Sequence, residues 1–139
     1  MAGPNEELAR RAYEVINRSE SVDAVMAGLE DLMDPEVELI NPADAIEGGT
    51  RKGLAGMRTA FENFFAGAGN RATIELEEVH ERGERVFVRA RIHAKGPSSG
   101  AEVVGPPTGI IHTLRDGRLI RMEWHFNADE AFAEFERSG

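Results

Sequence analysis

Cysteine is absent from this chain of 139 residues, and so are long apolar runs. Without cysteine there are no disulfides, thiolate nucleophiles or cysteine-ligated metals. No stretch approaches the ~20 apolar residues that a helix needs to cross a bilayer. The first seven residues have neither a basic nor an apolar segment, so they do not read as a signal peptide. We therefore expect a soluble, cytoplasmic protein.

Positive charge is scarce, since 16 Lys and Arg stand against 25 Asp and Glu, for a formal net charge of −9. The imbalance lies in residues 1–50, which hold 12 acidic and 3 basic residues, whereas residues 51–139 hold 13 of each. Such a chain lacks the clustered cations that bind a phosphate backbone or an anionic membrane surface. We expect neither nucleic acid nor a membrane as a partner. The length is typical of a single domain spanning residues 1–139.

The first half of the chain shows the spacing of helices. One helix is predicted to begin at an N-cap at Asn5, and a second at an N-cap at Ser21. The second helix is expected to reach Met33 and to stop before Pro35, because the residue that precedes a proline is pushed out of the helical conformation. A third helix is predicted over residues 54–65.

The second half shows the alternation of strands. Gly105-Pro106-Pro107 is expected to interrupt one strand, and Asp116-Gly117 is a strong signal for a two-residue hairpin. Residues 43–52 are predicted to form a loop, and residues 128–137 a closing helix. Strands are predicted at residues 37–41, 73–80, 86–94, 101–115 and 119–126.

This order of elements predicts an α+β fold. A curved antiparallel sheet would pack on the three helices of the N-terminal half and close into a cone. The hollow of such a cone is a natural ligand pocket.

Four segments resemble the nuclear transport factor 2-like superfamily, which includes SnoaL-like polyketide cyclases, ketosteroid isomerases and limonene epoxide hydrolases. These segments are Ala12-Tyr13, residues 34–42, residues 51–57, and residues 112–120 with Glu123-Trp124. The resemblance covers nearly the whole chain and implies a SnoaL-like, ketosteroid isomerase-like domain, which is a cystatin-like α+β roll. It marks the fold rather than the chemistry, because the superfamily shares its architecture across unrelated activities.

Ketosteroid isomerases use an aspartate on the first strand as the base. Their oxyanion hole is a tyrosine of helix one and a protonated aspartate on the penultimate strand. By resemblance Tyr13 matches the tyrosine, whereas Asn41 and Ile111 stand at the other two positions. An amide does not accept a proton near neutral pH, so steroid isomerisation by that route is not expected. The Asp–Arg–Asp arrangement of an epoxide hydrolase is absent, and neither Glu123 nor Asp129 fits the acidic residue of the cyclases.

The resemblance also implies which side chains line the hollow. With Tyr13, they would suit a flat hydrophobic ligand with one or two oxygens, although inward apolar residues of a small domain can simply form the core. The ligand-binding candidates are Asn41, Met57, Phe61, Phe65, Val88, Ile111, Thr113, Met122, Trp124 and Phe126.

The candidate catalytic residues are Tyr13, Asp44 and Glu47. Tyr13 would donate a hydrogen bond to a ligand carbonyl, or it is a tyrosine at the edge of the core. Asn41 would orient a ligand oxygen, or it caps the turn before Pro42. Asp44 and Glu47 would act as a base if the loop folds inward, and they are solvated carboxylates if it does not. The expected chemistry is general acid–base catalysis without a cofactor.

Strand parity places three of the four histidines on the outer face of the sheet, away from the hollow. No HxH or HxxxH pair exists, so no metal site is expected. That face mixes apolar and polar residues as interfaces do, and in the superfamily it often packs against a second subunit. We therefore expect a homodimer through Phe87, Arg89, Arg91, His93, His112, Arg121 and His125.

The leading interpretation is a SnoaL-like pocket protein for a small hydrophobic oxygenated metabolite of polyketide- or steroid-like character. In its catalytic form it would isomerise, cyclise or hydrate that metabolite. Two alternatives stay open: a non-catalytic module that binds a small ligand, and a dimeric interaction protein whose hollow is filled by its own side chains.

Overall fold

A computed structural model describes residues 3–19, 21–41, 49–67, 72–95 and 102–137. The helices in these ranges are α1 (Pro4–Arg18), α2 (Val22–Leu29), α3 (Gly53–Gly67) and α4 (Ala128–Arg137). The strands are β1 (Met33–Asn41), β2 (Gly49–Lys52), β3 (Ala72–Arg82), β4 (Arg85–Lys95), β5 (Glu102–Val104), β6 (Thr108–Arg115) and β7 (Arg118–His125).

The starts of the first two helices follow local chemistry. Helix α1 begins with a proline, which is favoured in the first turn because its missing N–H has no partner there anyway. Its N-cap is Gly3, so the prediction of Asn5 is wrong; the Asn5 amide donates instead to the Gly83 carbonyl, 3.1 Å away. The prediction for Ser21 is confirmed, because its hydroxyl accepts from the Ala24 N–H at 3.1 Å.

Helix α2 ends at Leu29, four residues before the predicted limit at Met33. The reason is tertiary, since Met33 pairs with Leu119 of β7 and the Leu119 N–H donates to the Leu32 carbonyl at 2.8 Å. Strand β1 therefore begins earlier than predicted and includes Pro35.

The strands form one curved sheet in the order β2-β1-β7-β6-β4-β3, with β5 paired to β4. The predicted α+β class is confirmed. The sheet is mixed rather than antiparallel throughout as predicted, because β1 runs parallel to β7 while the other described pairs are antiparallel. Residues 49–52, predicted as part of a loop, instead form β2 and pair with the end of β1.

Both predicted breaks in the second half are confirmed. Residues 105–107 separate β5 from β6, and Asp116-Gly117 joins β6 to β7. Asp116 and Gly117 have φ angles of 54° and 76°. Two consecutive residues with positive φ are typical of a type I′ turn, whose twist matches that of the flanking strands.

Helices α1, α2 and α3 cover the inner face of the sheet. Their apolar stripes meet the inward side chains of β1, β4, β6 and β7 in the main core. Fully or nearly fully buried members of this core are Ala9, Ala12, Val25, Leu29, Met33, Val37, Met57, Val86, Val88, Ala90, Ile110, Leu114 and Leu119.

Helix α4 packs on the opposite, outer face, where Phe87 and Ile111 meet Ala131 and Phe135 in a second buried cluster. The approach is close at Gly109 of β6. A Cβ there would overlap the Cβ of Ala131 and lie 3.2 Å from the Cα of Ala128. A residue without a side chain is therefore needed at this point of the strand.

Candidate functional site

A cavity of about 290 Å³ lies between helices α1 and α3 and the inner face of the sheet. Aliphatic and aromatic side chains form most of its wall. The residues that line it are Tyr13, Ile16, Leu39, Asn41, Arg51, Met57, Ala60, Phe61, Asn63, Phe64, Ile74, Ile92, Thr108, Met122, Trp124, His125 and Phe126.

Seven of the predicted site residues come together in this wall. Tyr13 reaches it from α1, and Asn41 from the last position of β1. Their convergence follows from the topology, since β1 lies beside β7 in the sheet and the helices cross the same face. The other five are Met57, Phe61, Met122, Trp124 and Phe126.

Two further candidates point inward but do not line the cavity. Phe65 is 8% exposed and Val88 is fully buried, and both belong to the main core. They support the wall from behind, so they would affect a ligand through the shape of the cavity rather than by contact.

Ile111 and Thr113 do not face the cavity, so these two predictions are wrong. Ile111 lies under α4 on the outer face, and Thr113 shares the parity of Ile111 along β6. The cause is an irregularity in the β6–β7 hairpin, where the register shifts after Leu114 pairs with Leu119. A regular hairpin would pair Ile111 with the inward Met122. The extra residue in β7 pairs His112 with Met122 instead, and paired residues of neighbouring strands share a face.

His112 is consequently an inward residue, and its prediction as part of the outer face is also wrong. Its ring is completely buried. The Nε2 atom lies 2.7 Å from the Tyr13 hydroxyl oxygen, and the Nδ1 atom lies 3.1 Å from the Val86 carbonyl oxygen. The two rings meet edge to face, with centroids 5.5 Å apart. Tyr13 therefore joins the cavity wall to a buried imidazole.

Burial shifts both groups away from their charged forms. Desolvation lowers the pKa of His112 to about 4 and raises the pKa of Tyr13 above its usual value. At neutral pH both groups are therefore uncharged: the neutral Tyr13 phenol is hydrogen-bonded to the neutral His112 imidazole. Such a pair can hold or pass a proton without placing a fixed charge beside an apolar ligand.

Asp44 and Glu47 lie outside the described residues. Among the cavity residues that the structure describes there is no aspartate or glutamate. The polar side chains there are hydroxyl, amide, guanidinium and indole groups, whereas the imidazole of the lining residue His125 lies beside Glu134 of α4. Within those ranges, the titratable group in reach of Tyr13 is His112.

Sequence reasoning missed several lining residues. Ile16 and Phe64 follow Tyr13 and Phe61 by three residues on their helices, a spacing that would have identified them. Thr108 shares the parity of His112 on β6, which was predicted to face outward, so the sequence did not point to it. Arg51 was not foreseen, because its stretch was predicted to be a loop rather than strand β2.

The outer face that was predicted as a dimer interface is partly covered by the chain itself. Phe87 is completely buried beneath α4, so its prediction as an interface residue is wrong. Arg89 bridges Glu78 at 2.6 Å and Asp129 of α4 at 2.7 Å. Strand parity could not reveal this, because it does not show which face the last helix takes.

The rest of this face carries ion pairs. Arg91 pairs with Glu77 at 2.8 Å, and Arg121 pairs with Glu123 at 3.3 Å. The His125 Nε2 atom lies 3.8 Å from a carboxylate oxygen of Glu134.

His93 lies between two carboxylates, with Nε2 2.7 Å from Glu75 and Nδ1 2.6 Å from Glu102. The hydrogen bond to Glu75 and, to a smaller extent, the one to Glu102 raise the pKa of His93.

In the part of the chain that the structure describes, no three His, Asp or Glu side chains are grouped as they would be around a metal. None of the described helices is long and apolar enough to cross a membrane.

The sequence model of the SnoaL-like domain family matches residues 9–122, which is most of the chain. The protein therefore belongs to the SnoaL-like family of the nuclear transport factor 2-like superfamily, and the predicted membership is confirmed. Comparison with curated proteins gave no match.

Solved structures give the same fold. TerC, co-crystallised with polyporic acid, is similar at 27% identity and a TM-score of 0.71, over 95% of this chain and 97% of that one. Bal32a, from a soil-derived mobile gene cassette, has 24% identity and a TM-score of 0.74, over 95% of each chain. A protein from Catenulispora acidiphila DSM 44928, with a ketosteroid isomerase-like fold and bound trimethylamine, has 12% identity and a TM-score of 0.68, over 91% of this chain and 90% of that one.

Proposed function

We propose that this protein binds a small hydrophobic, oxygen-bearing molecule of polyketide- or steroid-like character in the cavity between α1, α3 and the sheet. The observation that carries the proposal is the cavity itself, about 290 Å³ in volume, with an apolar wall and the Tyr13 phenol as a polar group. Ligand pockets typically measure about 300–1,000 Å³ and combine apolar walls with a few polar groups. The cavity is at the small end of that range, so its ligand is small.

The similarity to TerC supports this class of ligand, because that protein was co-crystallised with polyporic acid. The existence of the cavity also weighs against the alternative in which the hollow is filled by the protein's own side chains.

The catalytic form of the proposal is isomerisation, cyclisation or hydration by general acid–base chemistry. Tyr13 would move the proton, because it lies in the described wall, and the buried His112 would hold its hydroxyl in place from behind. Asp44 or Glu47 would be the alternative base.

A non-catalytic binding protein is the second candidate. One observation favours it: the cavity residues that the structure describes include no carboxylate. A binding protein needs none, whereas proton abstraction at carbon by this superfamily's usual means does.

Filling the cavity tests ligand binding. Ala60 lines the cavity from α3, and Ala55 is exposed on the same helix. Ala60→Phe should reduce the affinity for polyporic acid at least tenfold in isothermal titration, while the matched control Ala55→Phe should leave it unchanged. Quenching of Trp124, the single tryptophan, gives an independent readout within the wall. Equal affinities in the two variants would contradict the proposed site.

We also propose that the chain forms a homodimer through the polar part of the outer face, in which Arg89 and His125 border α4. The residues concerned are Arg89, Arg91, His93, Arg121 and His125. Sedimentation at micromolar concentration should give twice the mass of one chain. Charge reversal at the half-exposed Arg121, as Arg121→Glu, should weaken the dimer, and a single-chain mass for the wild type would refute it.

A further inference from the structure

The hydrogen bonds of His112 fix which of its nitrogens carries the proton. The Val86 carbonyl oxygen, 3.1 Å from Nδ1, can only accept, so Nδ1 carries the hydrogen. The burial that lowers the pKa of this imidazole keeps the ring neutral at neutral pH. A neutral imidazole has one N–H, so Nε2 presents a lone pair.

That lone pair sets the direction of the next hydrogen bond. The Tyr13 hydroxyl lies 2.7 Å from Nε2, and it must donate, because Nε2 has no hydrogen to give. A phenol has one hydrogen and accepts through its oxygen lone pairs. Because the hydrogen is committed to His112, Tyr13 has only lone pairs left to offer to a molecule in the cavity.

This direction is opposite to the one expected from the sequence, in which Tyr13 donates to a ligand carbonyl. We propose that His112 is a positioning residue that makes Tyr13 a hydrogen-bond acceptor, so that the cavity selects ligands bearing a hydroxyl donor, such as a phenol or an enol, over ketones and ethers of the same shape. The inference rests on the proposed function, because it needs a ligand in the cavity beside Tyr13.

The selection follows from the cost of an unmatched contact. A ligand hydroxyl donates to Tyr13 and leaves the buried Tyr13–His112–Val86 chain intact. A ketone or ether oxygen would face the Tyr13 oxygen, lone pair against lone pair, or would force Tyr13 to give up its bond to His112. A buried acceptor left without its donor is costly. We expect about a tenfold preference for the hydroxyl ligand, the usual scale of one net hydrogen bond.

The first test compares probes of one skeleton: 2-naphthol, which can donate, and 2-methoxynaphthalene, which cannot. Wild-type protein should bind 2-naphthol about tenfold more tightly in isothermal titration, as for one net hydrogen bond. Tyr13→Phe should lose this preference, because it removes the acceptor for 2-naphthol and also removes the oxygen that the ether faces without a donor. Equal affinities for the two probes in the wild type, or a preference for the ether, would overturn the inference.

Two substitutions at His112 separate its positioning role from a structural one. His112→Gln keeps an amide oxygen to accept from Tyr13 and an N–H to donate to Val86, so it should preserve the preference. His112→Leu removes the acceptor and frees the Tyr13 hydrogen, so it should shift the preference toward the ether. If His112→Leu does not fold, the preference of the wild type and the position of the His112 proton, measured as described next, still decide the question.

The proton on His112 can also be observed without any ligand. In ¹⁵N-histidine-labelled protein, nitrogen NMR should show a protonated Nδ1 and an unprotonated Nε2 for His112. The opposite tautomer would overturn the inference, because Tyr13 would then accept from Nε2 and keep its own hydrogen free. Failure of both naphthalenes and of polyporic acid to bind would refute the proposed function, whereas binding without preference would refute only this inference.

Discussion

Acidification should destabilise this protein through His112. The group is completely buried and its pKa in the folded protein is about 4, against 6.5 for an unperturbed histidine. Above about pH 6.5 the ring is neutral in both states, and the folded protein has its full stability. Between about pH 6.5 and 4, His112 binds a proton in the unfolded chain but stays neutral in the folded protein, so the free energy of unfolding falls.

The size of this effect follows from the shift. At 1.36 kcal/mol for each pKa unit, the full loss is about 3 kcal/mol, and about 2 kcal/mol of it has occurred by pH 5. This is a large part of the ~5–15 kcal/mol by which a domain is typically stable.

The assay is urea unfolding at pH 8, 7, 6 and 5, followed by circular dichroism. Carboxylates also titrate in this range, so wild type is compared with His112→Gln, which keeps polar groups for Tyr13 and Val86 but does not titrate. The difference in free energy of unfolding, wild type minus variant, should fall by about 2 kcal/mol between pH 8 and pH 5. A difference that stays constant with pH would refute the reasoning, because it would mean that His112 is not kept neutral by burial.

Three further outcomes are expected. Gly109→Ala should lower the free energy of unfolding by about 1–3 kcal/mol, since the new methyl group collides with Ala131. The control Gly105→Ala should have little effect, because its Cβ would be an ordinary 3.7 Å from its nearest atom. Equal losses of stability in the two variants would mean that α4 does not pack closely on Gly109. Ser21→Ala should cost about 1 kcal/mol through loss of the N-cap of α2, measured by chemical denaturation. The raised pKa of His93 means that its ion pairs stabilise the folded protein below about pH 6.5, and that this stabilisation is lost as the pH rises through the pKa of the folded state. The free energy of unfolding of the wild type, relative to that of His93→Gln, should therefore increase on acidification. The reverse trend would contradict the bridge to the two carboxylates.

Local sequence signals predicted much of the fold. The cap at Ser21, the break at residues 105–107 and the Asp116-Gly117 turn each depend on the chemistry of one or two residues. The closing helix has the predicted bounds, because its apolar residues recur at helical spacing. The errors fall where pairing between distant segments overrides local preference, as at Met33, which leaves the helix to pair with β7.

The candidate site was predicted in part. Tyr13 and Asn41, with five apolar residues, lie in the wall of the cavity, because helical and strand periodicity assigns a face to each residue of a regular element. Periodicity fails at an irregularity. The extra residue in β7 shifts its pairing with β6 by one position. As a result His112, rather than Ile111, lies on the inner face of the sheet.

The sequence by itself determined the family, the α+β class, the absence of cysteine chemistry and the positions of most of the elements. The tertiary structure decided that β1 runs parallel to β7, that α4 covers Phe87, and that Tyr13 is bonded to a buried histidine. The physical reason is the sequence separation of the interacting residues, because caps, turns and periodicity depend on residues that are close together in the chain. The partner of Tyr13, by contrast, lies 99 residues away and is brought to it by the register of a single hairpin.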